Sequence, residues 1–182
     1  MISGPSGVGK TTITHRLVER LGAVFSVSMT TRPRKGQDRE GIDYYFVDEP
    51  RFREAIERGE LLEWAQVFDR FYGTPRGPVE TNLAAGRDVI LEIDVAGGKQ
   101  VKRAMPQMIG IFILPPSEQE LVRRLRDRGR EDEQEIQRRF RDAQREIADA
   151  HSSGAYDHFI VNKNLDAAVD EAHQIVLRRK RT

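Results

Sequence analysis

Short apolar runs alternate with longer segments in which apolar residues recur at helical spacing along most of this chain. Five runs predict the strands of one sheet, at residues 1–3, 23–27, 88–94, 108–114 and 159–161. The run at 108–114, closed by two prolines, is typical of a strand that is covered on both faces. The alternation of these runs with helices predicts an α/β fold, in which helices flank a parallel sheet through right-handed crossovers.

Helices are predicted between these runs by their periodicity and their end signals. The apolar residues of segment 12–21 share one face, and Gly22 ends that helix. Ser117 has the position of an N-cap for a helix that extends to about residue 128, with Glu120 at capping-box spacing. Two further helices are predicted at residues 132–151 and 164–179.

Residues 28–80 do not follow this alternation of strands and helices. They contain a polar loop, an alternating segment, a helix and a second apolar segment, at residues 30–41, 43–47, 49–58 and 61–65. This pattern predicts a mixed α/β unit inserted between the second and third strands of the sheet. Such an insertion lies over the carboxyl ends of the strands, where α/β proteins bind ligands, so it suits a second-substrate site. We therefore interpret residues 1–182 as one domain, with a core of residues 1–27 and 81–182 and an insertion of residues 28–80.

Composition excludes several classes of function. With 30 basic and 29 acidic residues the net charge is +1, which argues against broad nucleic-acid or membrane binding. The absence of cysteine excludes disulfides, thiol catalysis and cysteine-ligated zinc. The four histidines lack metal-ligand spacing. No apolar stretch approaches a membrane span and no cleavable signal is visible, so we expect a soluble cytoplasmic protein. Nothing in the composition indicates an oligomeric state.

The first glycine-rich segment of the chain is its most specific functional motif. It matches G-x-x-x-x-G-K-[ST], the P-loop, and reads Gly4, Pro5, Ser6, Gly7, Val8, Gly9, Lys10 and Thr11. In a P-loop the backbone N–H groups and the following helix N-terminus surround a phosphate, the lysine adds a positive charge, and the hydroxyl ligates Mg²⁺. The alternative is a glycine-rich turn that only caps a helix. We predict a nucleotide-phosphate site here.

Arginines are the next candidates, because phosphoryl transfer depends on cations that neutralise the phosphoryl oxygens. Arg124 and Arg128 share one helix face, Gly129 follows them as a hinge, and Arg139 lies on the next helix. Two arginine-bearing helices joined by a hinge are typical of a lid, which we assign to residues 124–142. Ion pairing with the abundant acidic residues is the alternative for each arginine.

Motifs spread over essentially the whole chain resemble those of guanylate kinases, the family that phosphorylates GMP with ATP. They lie at residues 3–11, 27–33, 41–46, 62–65, 71–74, 90–97, 115–117, 124–129, Arg139 and 160–162. The resemblance implies a P-loop kinase fold with an inserted GMP-binding subdomain and a helical lid. It also implies ATP and GMP as small-molecule substrates, with dGMP as an alternative acceptor.

Carried over position by position, the resemblance implies residues for the ATP end of the site. The catalytic residues, all cations expected around the transferred phosphoryl group, are Lys10, Arg124, Arg128 and Arg139. Mg²⁺ is expected as the cofactor, and Thr11 and Glu92 are the residues expected at the metal. Asn162 is expected near the adenine of ATP.

The resemblance also implies residues for the GMP end. The guanine pocket is expected to contain Ser28, Glu63, Thr74 and Asp94, and the GMP phosphate is expected to bind Arg32, Tyr44 and Tyr72. Two carboxylates suit guanine because its N1–H and N2 amine are donors on one edge, so AMP should be rejected. Arginine suits the phosphate because its two N–H groups bind it bidentately.

Two features depart from the family's pattern. If no gap is inserted, Lys35 and Asp38 stand where the family usually carries arginine and glutamate among its GMP-binding residues, and a lysine lacks the bidentate fork; the alternative is that Arg34 replaces that arginine by a shift of one position. Only residues 1–3 precede the P-loop, so we expect either a short first strand or a native start upstream of Met1.

Each GMP-site residue also has a purely structural interpretation. Tyr44 and Tyr72 could be half-buried strand aromatics, and Glu63 could be a surface residue on an alternating strand. Ser28 could be an ordinary turn hydroxyl. Asp94 could cap the helix that starts near residue 95.

Three other functions compete with GMP phosphorylation. A kinase of similar fold acts on ribose bisphosphate, but the pair Glu63 and Asp94 argues against it. Guanylate-kinase-like modules of membrane-associated scaffolds bind phosphopeptides and usually have a degraded P-loop, whereas Lys10 and its neighbours are intact here. A P-loop GTPase needs N-K-x-D, and residues 162–165 lack the aspartate.

Overall fold

The computed structural model describes residues 1–67, 69–127 and 132–180, with side chains to Arg179. Helices of the described residues are α1 (Lys10–Leu21), α2 (Glu49–Glu57), α3 (Arg76–Ala84), α4 (Val95–Ala104), α5 (Glu118–Asp127), α6 (Glu133–Ser152) and α7 (Leu165–Lys180). Strands are β1 (Ile2–Ser3), β2 (Val24–Phe25), β3 (Met29–Thr30), β4 (Tyr45–Phe46), β5 (Leu61–Val67), β6 (Arg70–Pro75), β7 (Val89–Ile90), β8 (Ile111–Leu114) and β9 (His158–Val161). Within the described part of the chain, no helix is both long and apolar enough to cross a membrane.

Five parallel strands form the core sheet, as the apolar runs predict. β1, β8 and β9 pair in that order, and β2 pairs with β7. A parallel bridge between Ile2 and Glu92 joins the two groups, and the Ile2 N–H donates to the Leu91 carbonyl at 2.8 Å. The spatial order is therefore β2-β7-β1-β8-β9. The run predicted at 88–94 pairs first with β2 and then, after β7, with β1. The regular strand β7 is therefore shorter than the run.

The core sheet is covered on both faces. Ile111 and Ile113 of β8 pack in one apolar cluster with Ile13 of α1, whereas Phe112 between them packs in another with Val95 of α4. Because successive side chains of a strand point to opposite faces, this division follows directly from the continuous apolar run. The helix layers hold the strand ends, and hence the loops after them, in fixed positions.

A second, smaller sheet is inserted after β2. Its order is β4-β3-β6-β5, with β3 and β4 parallel and the other pairs antiparallel, and α2 packs against it. This arrangement is the mixed α/β unit that residues 28–80 predict. The periodicity did not reveal β3, β6 or α3, because β3 has two residues and β6 contains Gly73 and Pro75, which usually interrupt strand patterns. The helix α3 spans the predicted boundary at residue 80.

Helix ends follow the predicted capping signals with one correction. Asp132 accepts from the Glu135 N–H at 2.8 Å, and Ser117 accepts from the Glu120 N–H at 3.1 Å. The predicted capping box at Ser117 is half formed, because the Glu120 carboxylate accepts hydrogen bonds from Arg123 and Arg124 instead. The stronger charge-assisted bonds explain the difference.

Candidate active site

The P-loop connects β1 to α1 and is held by side chains from both ends of the chain. Gly9 is the N-cap of α1 with φ 88°, in the left-handed region, and an added Cβ would lie 2.8 Å from Asn162 Nδ2. Val8 is fully buried in the core, and its carbonyl accepts from Asn162 Nδ2 at 2.7 Å. Lys10 Nζ donates to the Gly4 carbonyl at 2.8 Å. These contacts hold the loop in the shape that encloses an anion.

A polar cleft follows from that shape. It has a volume of about 130 Å³ and is lined by Pro5, Ser6, Gly7, Gly9, Lys10, Thr11 and Thr12. A larger cavity of about 470 Å³ lies at the amino ends of the core strands, against Ile2, Ile90 and Ile111. Its lining is mainly apolar, so it does not offer the donors that phosphates need. The P-loop cleft is the better candidate for phosphate binding despite its size.

Asn162 has a position that the sequence did not predict. It follows β9, is 5% exposed, and its amide nitrogen supports the P-loop through Val8. Its backbone carbonyl accepts from Arg124 Nη2 at 3.2 Å. An adenine contact, which the resemblance implies for this residue, would have to use other atoms. The adenine role stays a prediction.

Thr11 and Glu92, the two residues predicted for the metal, are in contact. The Thr11 hydroxyl donates to Glu92 Oε1 at 2.7 Å, which links the first turn of α1 to the segment after β7. A hydroxyl and a carboxylate are the oxygen ligands that hard cations prefer. Among the described residues, no group of three or more acidic, histidine or cysteine side chains could hold a metal ion. The donor set therefore suits a cation that takes its remaining ligands from water and phosphate.

Two of the three predicted lid arginines lie beside the P-loop. Arg124 on α5 donates to Glu120 Oε1 at 2.8 Å as well as to the Asn162 carbonyl. Arg139 on α6 donates to the Ser6 hydroxyl. Each arginine would have to exchange a protein partner for a phosphate oxygen. Arg128 lies outside the described residues.

The residues predicted for the GMP phosphate form a second cluster on the inserted sheet. The Arg32 guanidinium lies 5.2 Å from the Tyr44 ring centroid and pairs with Asp38 Oδ2 at 2.9 Å. The Tyr44 and Tyr72 rings meet edge to face, with centroids 5.9 Å apart. Burial, followed by the neighbouring Tyr72, raises the pKa of Tyr44. Tyr44 thus lies beside an arginine that is already oriented, and Tyr72 lies against Tyr44.

Asp38 contributes its side chain to this cluster, whereas Lys35 contributes its backbone. The backbone N–H of Lys35 donates to Asp38 Oδ2 at 2.6 Å, and this bond, ahead of the Arg32 charge, lowers the pKa of Asp38. The Lys35 side chain is exposed. Lys35 therefore shapes the loop through its backbone, which any residue type could do.

Glu63 and Thr74 face each other across the β5–β6 pair. The Thr74 hydroxyl donates to Glu63 Oε1 at 2.6 Å, and the two residues are 6% and 1% exposed. Burial raises the pKa of Glu63 from its ordinary value of 4.5 to about 7; the Thr74 bond lowers the pKa, and the nearby Asp94 charge raises it further. The alternative that Glu63 is a surface residue is wrong.

A β-bulge explains this burial. Leu61 pairs with Pro75 and Glu63 pairs with Thr74, so Leu62 is an extra residue in β5. A bulge re-aims the side chains that follow it. Three consecutive residues of β5 are consequently buried, where simple alternation would have placed one of them at the surface.

Asp94 and Ser28 complete the predicted guanine pocket. Asp94 is the N-cap of α4, and its Oδ1 accepts from the Gly97 N–H at 2.7 Å. The helix-cap interpretation is therefore observed, and Asp94 still lies close enough to raise the pKa of Glu63. Half-buried Ser28 precedes β3, where its carbonyl accepts from the Tyr45 N–H at 2.9 Å.

Two further residues belong to this region. Glu146 on α6 is half-buried; burial raises its pKa, the Lys10 charge lowers it, and the Asp94 charge raises it. It lies seven residues after Arg139 and hence on the same helix face, a spacing that could have identified it. Gln100 on α4 bonds to the backbone of Trp64 in β5. No sequence signal marked Gln100, because its partner is a peptide group.

Comparison with known proteins places this geometry in a family. The guanylate kinase family model matches residues 1–179. The guanylate kinase of Myxococcus xanthus (strain DK1622) is 45% identical over 181 residues, covering 99% of this chain and 86% of that protein. The guanylate kinase of Rhodopseudomonas palustris (strain BisB5) is 45% identical over 187 residues, covering 100% of this chain and 84% of that protein.

A solved structure agrees with the sequence matches. The crystal structure of guanylate kinase from Anaplasma phagocytophilum superposes with a TM-score of 0.74 at 35% identity, covering 97% of this chain and 82% of that chain. The core sheet, the inserted sheet and the surrounding helices therefore have the architecture of a protein that is similar in sequence as well.

Proposed function

This chain belongs to the guanylate kinase family, and on that premise we propose that it transfers the γ-phosphoryl group of ATP to GMP, giving ADP and GDP. One observation carries the proposal. A P-loop cleft suited to phosphate and a buried carboxylate suited to guanine occur in a chain whose residues 1–179 match the family. Phosphate binding and guanine recognition are the two abilities that the reaction requires.

In this reaction an oxygen of the GMP phosphate attacks the γ-phosphorus of ATP. A new P–O bond forms as the bond to the β-phosphate oxygen breaks, and ADP leaves with that electron pair. The GMP phosphate is largely dianionic at pH 7, since the second pKa of a phosphate monoester is about 6, so no general base is needed. The protein contributes position and positive charge.

We assign the ATP end to the P-loop and the lid arginines. The N–H groups of residues 4–11 and the Lys10 ammonium would hold the phosphates. Arg124 and Arg139 would exchange Glu120 and Ser6 for oxygens of the transferred phosphoryl group, and Arg128 would join them. Their existing contacts near the P-loop support this assignment.

Mg²⁺ is the cofactor that we propose, held on the side of Thr11 and Glu92. When bound there, the ion would supply positive charge that neutralises the phosphate oxygens during transfer. The Thr11–Glu92 bond orients both oxygen ligands before the ion and nucleotide arrive.

We assign the GMP end to the inserted sheet and the start of α4. Arg32, Tyr44 and Tyr72 would bind the phosphate, with Asp38 orienting the guanidinium and the Lys35 N–H supporting Asp38. The guanine would contact Ser28, Glu63, Thr74 and Asp94. Adenine presents an acceptor at N1, where guanine presents a donor, so the Glu63 carboxylate would repel it.

Closure completes the proposed mechanism. Residues 28–80 would move as a GMP-binding subdomain and residues 124–142 as a lid, each against a core of residues 1–27 and 81–182. Arg139 of the lid contacts Ser6 of the P-loop, whereas the inserted sheet contacts α4 through Trp64 and Gln100, which supports separate movements. Closing both would exclude water and so prevent ATP hydrolysis.

A coupled assay of ADP release tests the function directly. We expect turnover with ATP, Mg²⁺ and GMP, and none with AMP, CMP, UMP or ribose 1,5-bisphosphate. Turnover with the sugar phosphate instead of GMP would overturn the proposal. So would a folded protein that phosphorylates none of these acceptors.

A further inference from the structure

The strand β5 is tied to the core helix α4 by three successive residues, each through a different interaction. Leu62 packs with Val101 in one apolar cluster. Glu63 Oε2 lies 2.7 Å from where a Cβ on Gly97 would be, so the carboxylate rests on the bare backbone of the helix. The Trp64 peptide groups bond to Gln100. Because positions 97, 100 and 101 share one helix face, the inserted sheet meets the core along a single line.

Gln100 forms the polar part of this contact. Its Oε1 accepts from the Trp64 N–H at 3.2 Å, and its Nε2 donates to the Trp64 carbonyl at 2.8 Å. The amide orientation follows from chemistry, since the N–H needs an oxygen and the carbonyl needs an N–H. β5 is the edge strand of its sheet, and its far side would otherwise leave these groups to water. We call this pair of bonds the Gln100 clamp.

The clamp lies one residue from Glu63. Two elements decide how far apart the carboxylates of Glu63 and Asp94 are: β5 carries the first, and α4 carries the second at its N-cap. Like charges repel, so two ionised carboxylates tend to push β5 away from α4. Two hydrogen bonds from α4 to the neighbouring peptide oppose that movement.

We propose that Gln100 is a positioning residue for guanine recognition, because its clamp on Trp64 holds Glu63 at the distance from Asp94 that the two adjacent donors of guanine require. This inference rests on the proposed function and adds a residue to it. Gln100 does not contact the base. It acts on the position of β5 relative to α4.

Gln100→Leu is the first test variant. Leucine keeps the size of the side chain and favours the helix, but it removes both hydrogen bonds. Gln107→Leu is the matched control, because Gln107 is exposed and precedes β8, at the edge of the sheet away from the strand carboxyl ends. We expect the KM for GMP to rise on the order of tenfold in Gln100→Leu, with kcat and the KM for ATP within about twofold of the unmodified protein.

Specificity distinguishes positioning from simple stabilisation. IMP lacks the N2 amine of GMP, so the preference for GMP over IMP depends on having both carboxylates in place. We expect this preference to fall several-fold in Gln100→Leu and to be unchanged in Gln107→Leu. The chain has a single tryptophan, Trp64 itself, so fluorescence titration with GMP reports the same loss of affinity without turnover.

Gln100→Glu is a second variant in case leucine impairs folding. It is isosteric and keeps an acceptor for the Trp64 N–H, but it sets a carboxylate against the Trp64 carbonyl, so we expect the same direction of change. An unchanged KM for GMP and an unchanged GMP-to-IMP preference in both variants would overturn the inference. A uniform loss of kcat and of affinity for both nucleotides would also overturn it. If the unmodified protein did not phosphorylate GMP at all, the proposed function would fail instead, and that result precedes any variant.

Discussion

The two ends of the candidate site are built in opposite ways. At the ATP end the P-loop and the first turn of α1 supply mostly backbone N–H groups, and Arg124 and Arg139 join them from α5 and α6, outside the inserted sheet. At the GMP end Glu63 lies on the inserted sheet, where Thr74 of the neighbouring strand holds its carboxylate, whereas Asp94 caps a helix of the core. The ATP end is therefore robust to movement of the inserted sheet, whereas the GMP end depends on it.

The electrostatics of the two ends also differ. Lys10 is a partly exposed cation of the P-loop, where a polyphosphate can reach it. Glu63 is a buried acid whose pKa of about 7 makes its charge sensitive to physiological pH. We expect damage at the first end to lower kcat and damage at the second to raise the KM for GMP; three variants and two pH series test these expectations.

Lys10→Ala should have the largest effect. Removing a cation that stabilises charge on the transferred group typically costs about a hundredfold or more in kcat, and the KM for GMP should change little because GMP binds elsewhere. Steady-state kinetics with both substrates varied would show this. Arg87→Ala, which removes an exposed positive charge between α3 and β7, is the matched control. Near-normal kcat in Lys10→Ala would contradict the ATP-end assignment.

Glu63→Gln should damage the other end. The amide presents an N–H toward the donors of guanine, so kcat/KM for GMP should fall about a hundredfold, chiefly through KM. Exposed Glu57→Gln on α2 serves as the control. The folded protein should not lose stability at pH 8, because the variant removes a buried charge. A loss of kcat with an unchanged KM for GMP would contradict the assignment of Glu63 to GMP binding.

The pH dependence of GMP affinity is a second test of the role of Glu63. Between pH 6 and 8 the ionised fraction of Glu63 rises about tenfold if its pKa is near 7, so the KM for GMP should fall by about that factor. GMP's own phosphate titrates near pH 6, and the Glu63→Gln variant separates that contribution. Equal pH profiles for the two proteins would exclude Glu63 as the titrating group.

The same pKa predicts a stability trend of opposite sign. Because the folded-state pKa lies above the ordinary 4.5, the folded protein holds this proton more tightly than the unfolded chain does. The resulting stability, about 3 kcal/mol, is full below pH 4.5 and is lost as the pH rises through 7. Denaturant unfolding of the unmodified protein and Glu63→Gln at pH 5 and 8 would reveal it.

Gly97→Ala should have the smallest effect of the three variants. The added methyl would lie 2.7 Å from Glu63 Oε2, which forces the carboxylate away from α4 and should raise the KM for GMP several-fold. Gly77→Ala is a close control, because a Cβ there meets nothing within 4 Å and alanine favours the helix α3. Equal kinetics for the two variants would contradict the view that Glu63 rests on the helix backbone.

Much of the fold followed from local patterns. The five core strands are confirmed because each is an apolar run, and β8 in the interior of the sheet is buried by helices on both faces. The inserted sheet was harder, since β3 is too short for a pattern and β6 gains its hydrogen bonds from β5 and β3. The predicted boundary at residue 80 divides α3, and the domain division itself stays a prediction.

By itself, the sequence determined the P-loop, the parallel core and the arginine-bearing helices, because each depends on residues that are neighbours along the chain or share one helix face. Tertiary structure decided the rest. It buried Glu63 through a bulge, brought Asn162 beneath the P-loop from 154 residues away, and joined Gln100 to the backbone of Trp64. Such contacts leave no periodic trace, since their partners are peptide groups or distant side chains that meet only when the sheets pack.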